Sequence, residues 1–326
     1  MTETPAQPKA HPLKALLRPL YRPLLALLRR QSTGSRVISA PAGTDLGTGA
    51  APKALAHDVL GRFREIVSDP VNLLIERHRH AGQVIDGRVI LHNGLSVPAR
   101  GRQAYYGPFS EILIINRGVH EPVEEYAFQC VLDSLPEAPV MLELGAYWGH
   151  YSMWLKARRP GATAYLVEPE QAHIDAGRAN FAHNGFEGTF IKDLVGPGHF
   201  KVDAFLAEQG IERLHILHAD IQGSEVDMLA DARQALAGQR VDWCFVSTHS
   251  DALHKGVQEA LSGHGYRIDI SADVETETTS FDGIVIAARP GMPPLFDGFR
   301  PVGRTDLAGA SAQDVVTALK RDRANP

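Results

Sequence analysis

The stretch VMLELGAYWGHYSMW, Val140–Trp154, decides the fold. It begins with an apolar run of strand length, continues with two glycines that bracket a tight turn, and ends in apolar residues at helical spacing. The next apolar run, TAYLVE (Thr163–Glu168), repeats the strand pattern and ends in a carboxylate. A strand, a glycine turn, a helix and a second strand predict a βαβ unit, whose two strands are parallel.

The alternation continues along the chain. The predicted helices are YSMWLKARR, QAHIDAGRANFAHNG, EVDMLADARQALAG and LHKGVQEALSGHG, and the further predicted strands are GTFIK, LHILHAD, WCFVSTH, YRIDI and GIVIAARP. We therefore expect an α/β fold with a doubly wound, mostly parallel sheet that is covered on both faces. A ligand of such a sheet binds beyond the carboxyl ends of the strands.

Four regions are predicted along the chain. Residues 1–52 combine an amphipathic basic arm with a Gly/Ser/Pro-rich flexible linker. Residues 53–135 are predicted as an N-terminal cap region, residues 136–290 as the main α/β domain, and residues 291–326 as a C-terminal tail with a short helix.

The first two regions contain an amphipathic stretch and short patterns of strands and a helix. Residues 12–30 carry leucines at helical spacing beside several basic residues, which indicates a helix packed on its own protein or a loosely ordered arm, with contact to a membrane surface as the alternative. In the cap, the runs QVIDGRVIL and ILIIN predict short strands, and EPVEEYAFQCVLDSL predicts a helix.

Composition excludes several classes of protein. A net charge of −5 gives no general attraction to nucleic acid or to an anionic membrane, so we expect no nucleic-acid partner. No run of about 18 uncharged apolar residues occurs, so we expect no membrane span. Two cysteines, Cys130 and Cys244, are too few for a disulfide framework or a cysteine zinc site. The low cysteine count favours a cytoplasmic protein, which would be peripheral to the inner face of the membrane if the basic arm binds it.

The candidate cofactor site is formed by Glu143, Gly145 and Gly149 after the first strand and by Glu168 at the end of the next. Glycine is expected in such a turn because the backbone bends sharply and approaches a ligand without a Cβ in the way. A carboxylate at the end of the second strand can accept hydrogen bonds from both ribose hydroxyls of a nucleoside.

A nicotinamide dinucleotide would also use that carboxylate. Its pyrophosphate needs three closely spaced glycines, however, and Tyr147 occupies the middle position here. The aromatic pair Tyr147 and Trp148 instead suits a cofactor without phosphate, whose sulfonium can meet aromatic faces, although core packing would also explain the pair.

The chain resembles the FkbM family of class I methyltransferases. The resemblance is carried by MLELGAYWGHYSMW, LVEPE, LHADIQGSEVDML and ETTSFDGIVIA, covers roughly Asn116–Ala288, and extends ahead of the core through INRGVHEPVEEYAF. It implies S-adenosylmethionine as the cofactor, a seven-stranded sheet with an antiparallel last strand, and methyl transfer, commonly to a hydroxyl of a sugar or natural product. The family's phrase after the fourth strand is closer to D-x-E-G-x-E, and Gln222 replaces its middle acid here.

Four residues form the candidate acid–base group: Asp220, Glu225, His249 and His254. Asp220 and His249 end two strands that open on the same edge of the sheet, so they can converge on one acceptor hydroxyl. We expect His249, neutral in the working state, to take the proton, Asp220 to orient it or the acceptor and to border the cofactor, and Glu225 to tie the loop together. A divalent metal ion held by Asp220, His249 and His254 is an alternative that we do not expect.

Further residues have weaker assignments. Glu124 or Glu125 is a candidate partner of the cofactor's amino group, although a charged first turn of a helix explains both equally. Asp282 is expected to serve a hairpin turn, and Tyr105 and Tyr106 are candidates for stacking on a sugar. The remaining functional alternatives are a binding or scaffold protein that has lost catalysis and a dinucleotide-dependent oxidoreductase.

Overall fold

The computed structural model describes residues 59–101, 103–105, 110–296 and 298–322. Its main element is a seven-stranded sheet with the strands in the order β6-β5-β4-β7-β8-β10-β9. The strands are β4 (Val140–Leu144), β5 (Thr163–Val167), β6 (Thr189–Ile191), β7 (Leu214–Ala219), β8 (Val241–Thr248), β9 (Arg267–Ala272) and β10 (Gly283–Ala288). Within this sheet only β10 runs antiparallel to its neighbours β8 and β9. The predicted fold class is confirmed.

Helices cover both faces of this sheet. Their bounds are α1 (Val59–Ser68), α2 (Ser110–Ile115), α3 (Pro122–Ser134), α4 (His150–Arg158), α5 (Gln171–His183), α6 (Val202–Glu208), α7 (Glu225–Asp231), α8 (Arg233–Ala237), α9 (Asp251–Gly263), α10 (Arg304–Leu307) and α11 (Ala312–Arg321). Neighbouring strand residues alternate between two cores, so that Met141 packs with α3 and α4 on one face, while Leu142 packs with α6, α7 and α9 on the other.

The order of the strands reverses between β4 and β7. From β4 the chain proceeds outward through β5 and β6, returns, and places β7 on the other side of β4. The backbone N–H of Asp220, just after β7, donates to the carbonyl of Leu144 at 2.9 Å, so the loops that follow the two strands lie side by side. A ligand crevice opens at such a switch point.

A small antiparallel sheet precedes the main one. It contains β1 (Val84–Ile85), β2 (Arg88–Ile90) and β3 (Ser96–Pro98), where the sequence predicted short strands. The second predicted strand, ILIIN, is wrong, because Ile112–Ile115 belong to helix α2. A short apolar run without polar alternation fits a buried helix as well as a strand. The side chains of Ile112 and Leu113 are fully buried, which is compatible with both structures.

The described residues belong to one compact unit, Ala51–Pro326. The predicted boundaries at residues 52, 135 and 290 stay predictions, as does the methyltransferase domain that they delimit. The basic arm, residues 12–30, and Tyr106 lie outside the described residues. Among the described helices, none has the length and apolar character needed to cross a membrane.

Candidate active site

Two neighbouring cavities lie at the carboxyl edge of the main sheet. The first has a volume of about 300 Å³ and the second about 230 Å³, and both are lined by Gly145, Tyr147, Asp220 and Gln222. Gly145 follows β4 and Asp220 follows β7, so these shared residues lie at the switch point. The structure thus has a divided cleft where the sequence predicted a ligand.

The loop between β4 and α4 borders both cavities and follows an unusual path. Gly145, Tyr147 and Gly149 all have left-handed backbones, with φ of +73°, +46° and +76°. A Cβ on Gly145 would lie 1.8 Å from the carbonyl oxygen of Asp220, and one on Gly149 would lie 2.7 Å from the ring of Phe181. The glycines are therefore required by close packing within the protein, and not only by a ligand as the sequence suggested.

Gly145→Ala tests this packing. We expect it to reduce the free energy of unfolding by about 3 kcal/mol, from a strained left-handed backbone together with displacement of the Asp220 carbonyl. Gly185→Ala is the matched control, since Gly185 has φ of +80° but open space around a Cβ, and strain alone should reduce it by about 1 kcal/mol. Equal losses in urea unfolding would contradict the packing argument.

Glu168 is buried at the end of β5 and borders the second cavity. Its Oε2 accepts from the backbone N–H of Tyr147 at 3.0 Å, and its Oε1 accepts from the backbone N–H of Glu170 at 3.0 Å and lies 3.0 Å from Nδ1 of His173. The carboxylate therefore holds the glycine loop against β5. Each carboxylate oxygen can accept more than one hydrogen bond, so the same group remains able to bind hydroxyls in the cavity.

Aromatic side chains line the first cavity. Tyr105 lies with its ring centroid 6.0 Å from those of both Tyr147 and Trp148, and Tyr151 also borders the space. Glu143 lines this cavity too, and its Oε2 accepts from the backbone N–H of Ser152 at 3.1 Å, which satisfies the first turn of α4. The predicted cofactor residues Glu143, Gly145, Tyr147 and Trp148 are thus brought together here.

His249 lies among three carboxyl groups, two of which, those of Asp220 and Asp282, line the first cavity. Its Nδ1 is 2.6 Å from Oε1 of Glu225, and its Nε2 is 3.1 Å from Oδ1 of Asp220 and 3.4 Å from Oδ1 of Asp282. Glu225 also accepts from the backbone N–H of Gly223 at 3.0 Å, so it fixes both the imidazole and the loop. The structure joins Asp220, Glu225 and His249, as the sequence predicted.

The protonation state of His249 differs from the prediction. Burial lowers the pKa of this imidazole, but its hydrogen bonds to Asp220 and Glu225 and the charge of Asp282 more than offset burial and raise the pKa to about 10. At neutral pH His249 is therefore an imidazolium that already carries the proton. The sequence-based prediction of a neutral His249 is wrong, because the hydrogen bonds of Asp220 and Glu225 to the imidazole, together with the charge of Asp282, outweigh burial.

Asp282 is the acidic residue that the sequence interpretation assigned only to a turn. It lines the first cavity, and burial together with repulsion from Asp220 raises its pKa to about 7 although His249 lowers it. The reason for its position is topological: β10 is antiparallel, so its amino end, which follows Asp282, lies at the edge where the parallel strands have their carboxyl ends. The predicted antiparallel last strand already contained that signal.

A comparison with models of protein families identifies a domain in this chain. Residues 110–268 match the model of the methyltransferase FkbM domain. The chain carries a methyltransferase FkbM domain. The matched range includes the glycine loop, Glu168, Asp220 and His249, and ends within β9, ahead of Asp282. A search of the curated proteins found no match to the chain.

Several solved methyltransferases are similar to part of the chain at low identity and low TM-score. Methyltransferase FkbM from Methylobacillus flagellatus KT is 16% identical with a TM-score of 0.37, over 47% of this chain and 44% of that one. Precorrin-6y C5,15-methyltransferase from Geobacter metallireducens GS-15 is 12% identical with a TM-score of 0.37, over 51% of this chain and 88% of that one. TrmK from M. capricolum, solved with S-adenosyl-homocysteine, is 12% identical with a TM-score of 0.37, over 52% and 72%. Likeness at this level carries no inference about substrate.

Two residues predicted for the site, His254 and Glu124, line neither cavity. The ring of His254 is 2.9 Å from the hydroxyl of Thr248 and 2.9 Å from that of Ser271, so it is held inside the fold and does not join His249. Its place in the first turn of α9, after the strand that His249 ends, separates the two imidazoles. The predicted site of Asp220, His249 and His254 is therefore not formed, and Asp282 takes the third place, with one ligand-type atom of each residue within 4.8 Å of the others.

Glu124 is the second such residue. Its Oε1 lies 2.6 Å from Nε2 of His218, and its Oε2 accepts from the hydroxyl of Ser247 at 3.2 Å, all in buried surroundings. It does not border either cavity of the FkbM domain, whereas Glu121, one helical turn earlier, lines the first cavity. The prediction that Glu124 reaches the cofactor is not supported by its position, because α3 turns Glu124 towards the sheet.

Charge distinguishes the cleft of the FkbM domain from a phosphate site. Among the residues that line the two cavities there is no lysine or arginine, whereas Glu121, Glu143, Asp220, Asp282 and Glu168 are carboxylic. Burial raises the pKa of Glu121 to about 7, partly offset by His120, so several of these groups gain charge as the pH rises through neutrality. Such a lining attracts a cation and disfavours a pyrophosphate.

Proposed function

We propose that this protein is an S-adenosylmethionine-dependent methyltransferase that methylates a hydroxyl oxygen of a sugar or another small natural product. The FkbM domain supports the reaction class. The observation that carries the oxygen chemistry is Asp282, a carboxyl group with a pKa of about 7 that lines the first cavity beside the imidazolium of His249.

Charge and shape support S-adenosylmethionine as the cofactor. Its sulfonium and ammonium groups are cations, and the cleft lining offers carboxylates and aromatic faces without a lysine or arginine. Glu168 in the second cavity would accept hydrogen bonds from the ribose hydroxyls, while the first cavity would take the methionine part and the acceptor. A dinucleotide lacks a partner for its pyrophosphate in either cavity.

The same carboxyl group, that of Asp282, can remove the proton from the acceptor hydroxyl. Methyl transfer to oxygen needs a base near the hydroxyl, and a carboxylate with a pKa close to the working pH is effective in this role. We assign that role to Asp282. Asp220 would orient the acceptor, and His249, held by Glu225, would lower the pKa of Asp282 towards neutrality through its positive charge.

Transfer of a labelled methyl group tests this proposal. The purified full chain is incubated with methyl-labelled S-adenosylmethionine and acceptor panels of sugars and polyols, of phenols, and of amines. Label on hydroxyl oxygens of the first panel supports the proposal. Label confined to amines would contradict the O-methylation, and binding of S-adenosylhomocysteine without transfer to any panel would favour a binding or scaffold protein.

Cofactor preference should depend on pH. S-adenosylmethionine carries a sulfonium charge that S-adenosylhomocysteine lacks, and Asp282, with a pKa raised to about 7, is neutral below and ionised above that pH. Titrations from pH 6 to pH 8 should show the preference for S-adenosylmethionine rising by about 3- to 10-fold. Asp282→Asn is expected to flatten this change, and a pH-independent ratio in the parent would contradict the assignment.

We also propose that the acceptor is a small molecule and not a nucleic acid, since the described cavities are acidic, and that the protein works in the cytoplasm. Methyl transfer is proposed to need no divalent ion at Asp220, His249 and Asp282. Turnover that requires added magnesium or manganese would instead indicate an ion in that group.

A further inference from the structure

A second group of titratable side chains is buried beside the first cavity, and one of its members, His150, also lines that cavity. His92 follows β2, Glu125 lies in the first turn of α3, and His150 is the first residue of α4. Their exposed fractions are 1%, 0% and 4%. Three segments that are distant in sequence thus bring two imidazoles and a carboxylate together in the protein interior.

The distances within this group fit metal coordination. Nε2 of His92 lies 2.8 Å and Nε2 of His150 lies 3.9 Å from Oε2 of Glu125, and one ligand-type atom from each of the three residues lies within 4.8 Å of the others. Bonds of about 2.0–2.1 Å in a tetrahedral zinc site place ligand atoms roughly 3.4 Å apart, which is in this range.

His150 provides an independent observation. Among the described residues, neither of its ring nitrogens has a hydrogen-bond partner, although the side chain is almost entirely buried. Buried polar atoms in folded proteins nearly always have a partner, so an imidazole without one points to a ligand.

The surroundings hold Glu125 in a ligand's position. Its Oε1 accepts from the backbone N–H groups of His120 and Glu121 at 2.8 and 3.0 Å, and lies 2.7 Å from Nδ1 of His120. These donors occupy one carboxylate oxygen and leave Oε2 facing His92 and His150. Fixed outer contacts of this kind orient the ligands of metal sites in proteins.

We propose that His92, Glu125 and His150 bind a divalent transition-metal ion of the zinc class. Two imidazoles and one carboxylate suit zinc or cobalt, whereas calcium and magnesium prefer oxygen ligands throughout. The ion would connect the segment after β2 to α3 and to the start of α4, which directly follows Gly149 of the cofactor loop. Its role would be to fix that loop and not to take part in the reaction.

Cobalt titration of the full chain tests the site. After treatment with a chelator and desalting, one equivalent of Co²⁺ should give the visible absorption of tetrahedral cobalt, and Zn²⁺ should abolish that absorption by competition. Zn²⁺ at 100 times its dissociation constant should also raise the unfolding temperature by about 5 °C. A folded parent protein that gives neither signal would overturn the proposal and leave only the contact between His92 and Glu125.

Variants locate the ion. Glu125→Gln and His150→Phe should abolish the cobalt absorption while the far-ultraviolet circular dichroism stays that of the parent. The controls are His249→Asn, in the other histidine and carboxylate group, and His183→Asn, outside both groups. Should these control variants lose the absorption, or should both Glu125→Gln and His150→Phe keep it in folded protein, the ion lies elsewhere and the proposal fails. If Glu125→Gln and His150→Phe do not fold, the test rests on the parent and His249→Asn. Cobalt absorption retained in His249→Asn then supports the site, and loss of the absorption overturns the proposal.

Discussion

Replacing Asp282 by asparagine is expected to lower turnover by roughly two to four orders of magnitude, the usual contribution of a positioned base. Asparagine keeps the shape of the side chain but cannot accept the proton of the acceptor hydroxyl. Because the pKa of Asp282 is raised to about 7, turnover of the parent should rise as the pH increases through 7 and then level off. The release of S-adenosylhomocysteine with an acceptor identified in the labelling experiment is the measurement.

Two variants separate this role from general disruption. Asp251→Asn removes an exposed carboxylate at the start of α9 and should leave turnover within about 2-fold of the parent. His249→Gln removes the positive charge that lowers the pKa of Asp282, so the rise of turnover should move to higher pH. Full activity of Asp282→Asn, with unchanged affinity for S-adenosylhomocysteine, would show that catalysis rests on proximity alone.

Glu168→Ala is expected to weaken the binding of S-adenosylmethionine by about 100-fold or more. Each hydrogen bond to an ionised group contributes about 1.5–3 kcal/mol, and the ribose offers two hydroxyls. The variant also releases the backbone N–H of Tyr147, which the carboxylate holds, so the loop loses part of its order before any ligand binds. Isothermal titration measures the loss.

Its control uses a carboxylate outside the cleft. Glu187→Ala changes the same residue type at an exposed position just before β6 and should leave the affinity within about 2-fold. Glu168→Gln distinguishes the two effects of Glu168, since an amide oxygen can still accept from one backbone N–H while the charge is lost. An affinity of Glu168→Ala equal to that of the parent would remove Glu168 from the cofactor site.

Much of the fold could be predicted from the sequence because the apolar runs are separated by clear turns. The run VMLEL forms β4 and GIVIAA forms the antiparallel β10, since period and length agree with strands in both. The helix α6, Val202–Glu208, was not predicted, because it is only seven residues long and its polar flanks resemble a loop. The apolar run of α2 lacked a period, and tertiary packing decided its structure.

The site was predictable only in part. Residues at the carboxyl ends of parallel strands, such as Glu168, Asp220 and His249, follow from position alone. His254 was misplaced because its side chain direction depends on where α9 begins, and Asp282 was underrated because the amino end of an antiparallel strand was not counted at that edge. The charge of His249 depends on three carboxyl groups in space, and no local pattern shows their approach.

The buried group of His92, Glu125 and His150 was also beyond the sequence analysis. Its members lie in three separate segments, and none has the short spacing by which metal ligands are recognised on one helix or turn. Glu125 was weighed as a partner of the cofactor or as part of a charged first turn of a helix, whereas its carboxylate contacts His120 and lines neither cavity.

Calorimetric titration of the purified protein with S-adenosylhomocysteine, alongside NADH, tests the central claim most directly. The glycine loop, Glu168 and the acidic lining without lysine or arginine predict that S-adenosylhomocysteine binds with one site per chain and that NADH does not bind. Binding of NADH in place of S-adenosylhomocysteine, or no binding of either compound to the folded protein, would contradict the assignment of the cleft to S-adenosylmethionine.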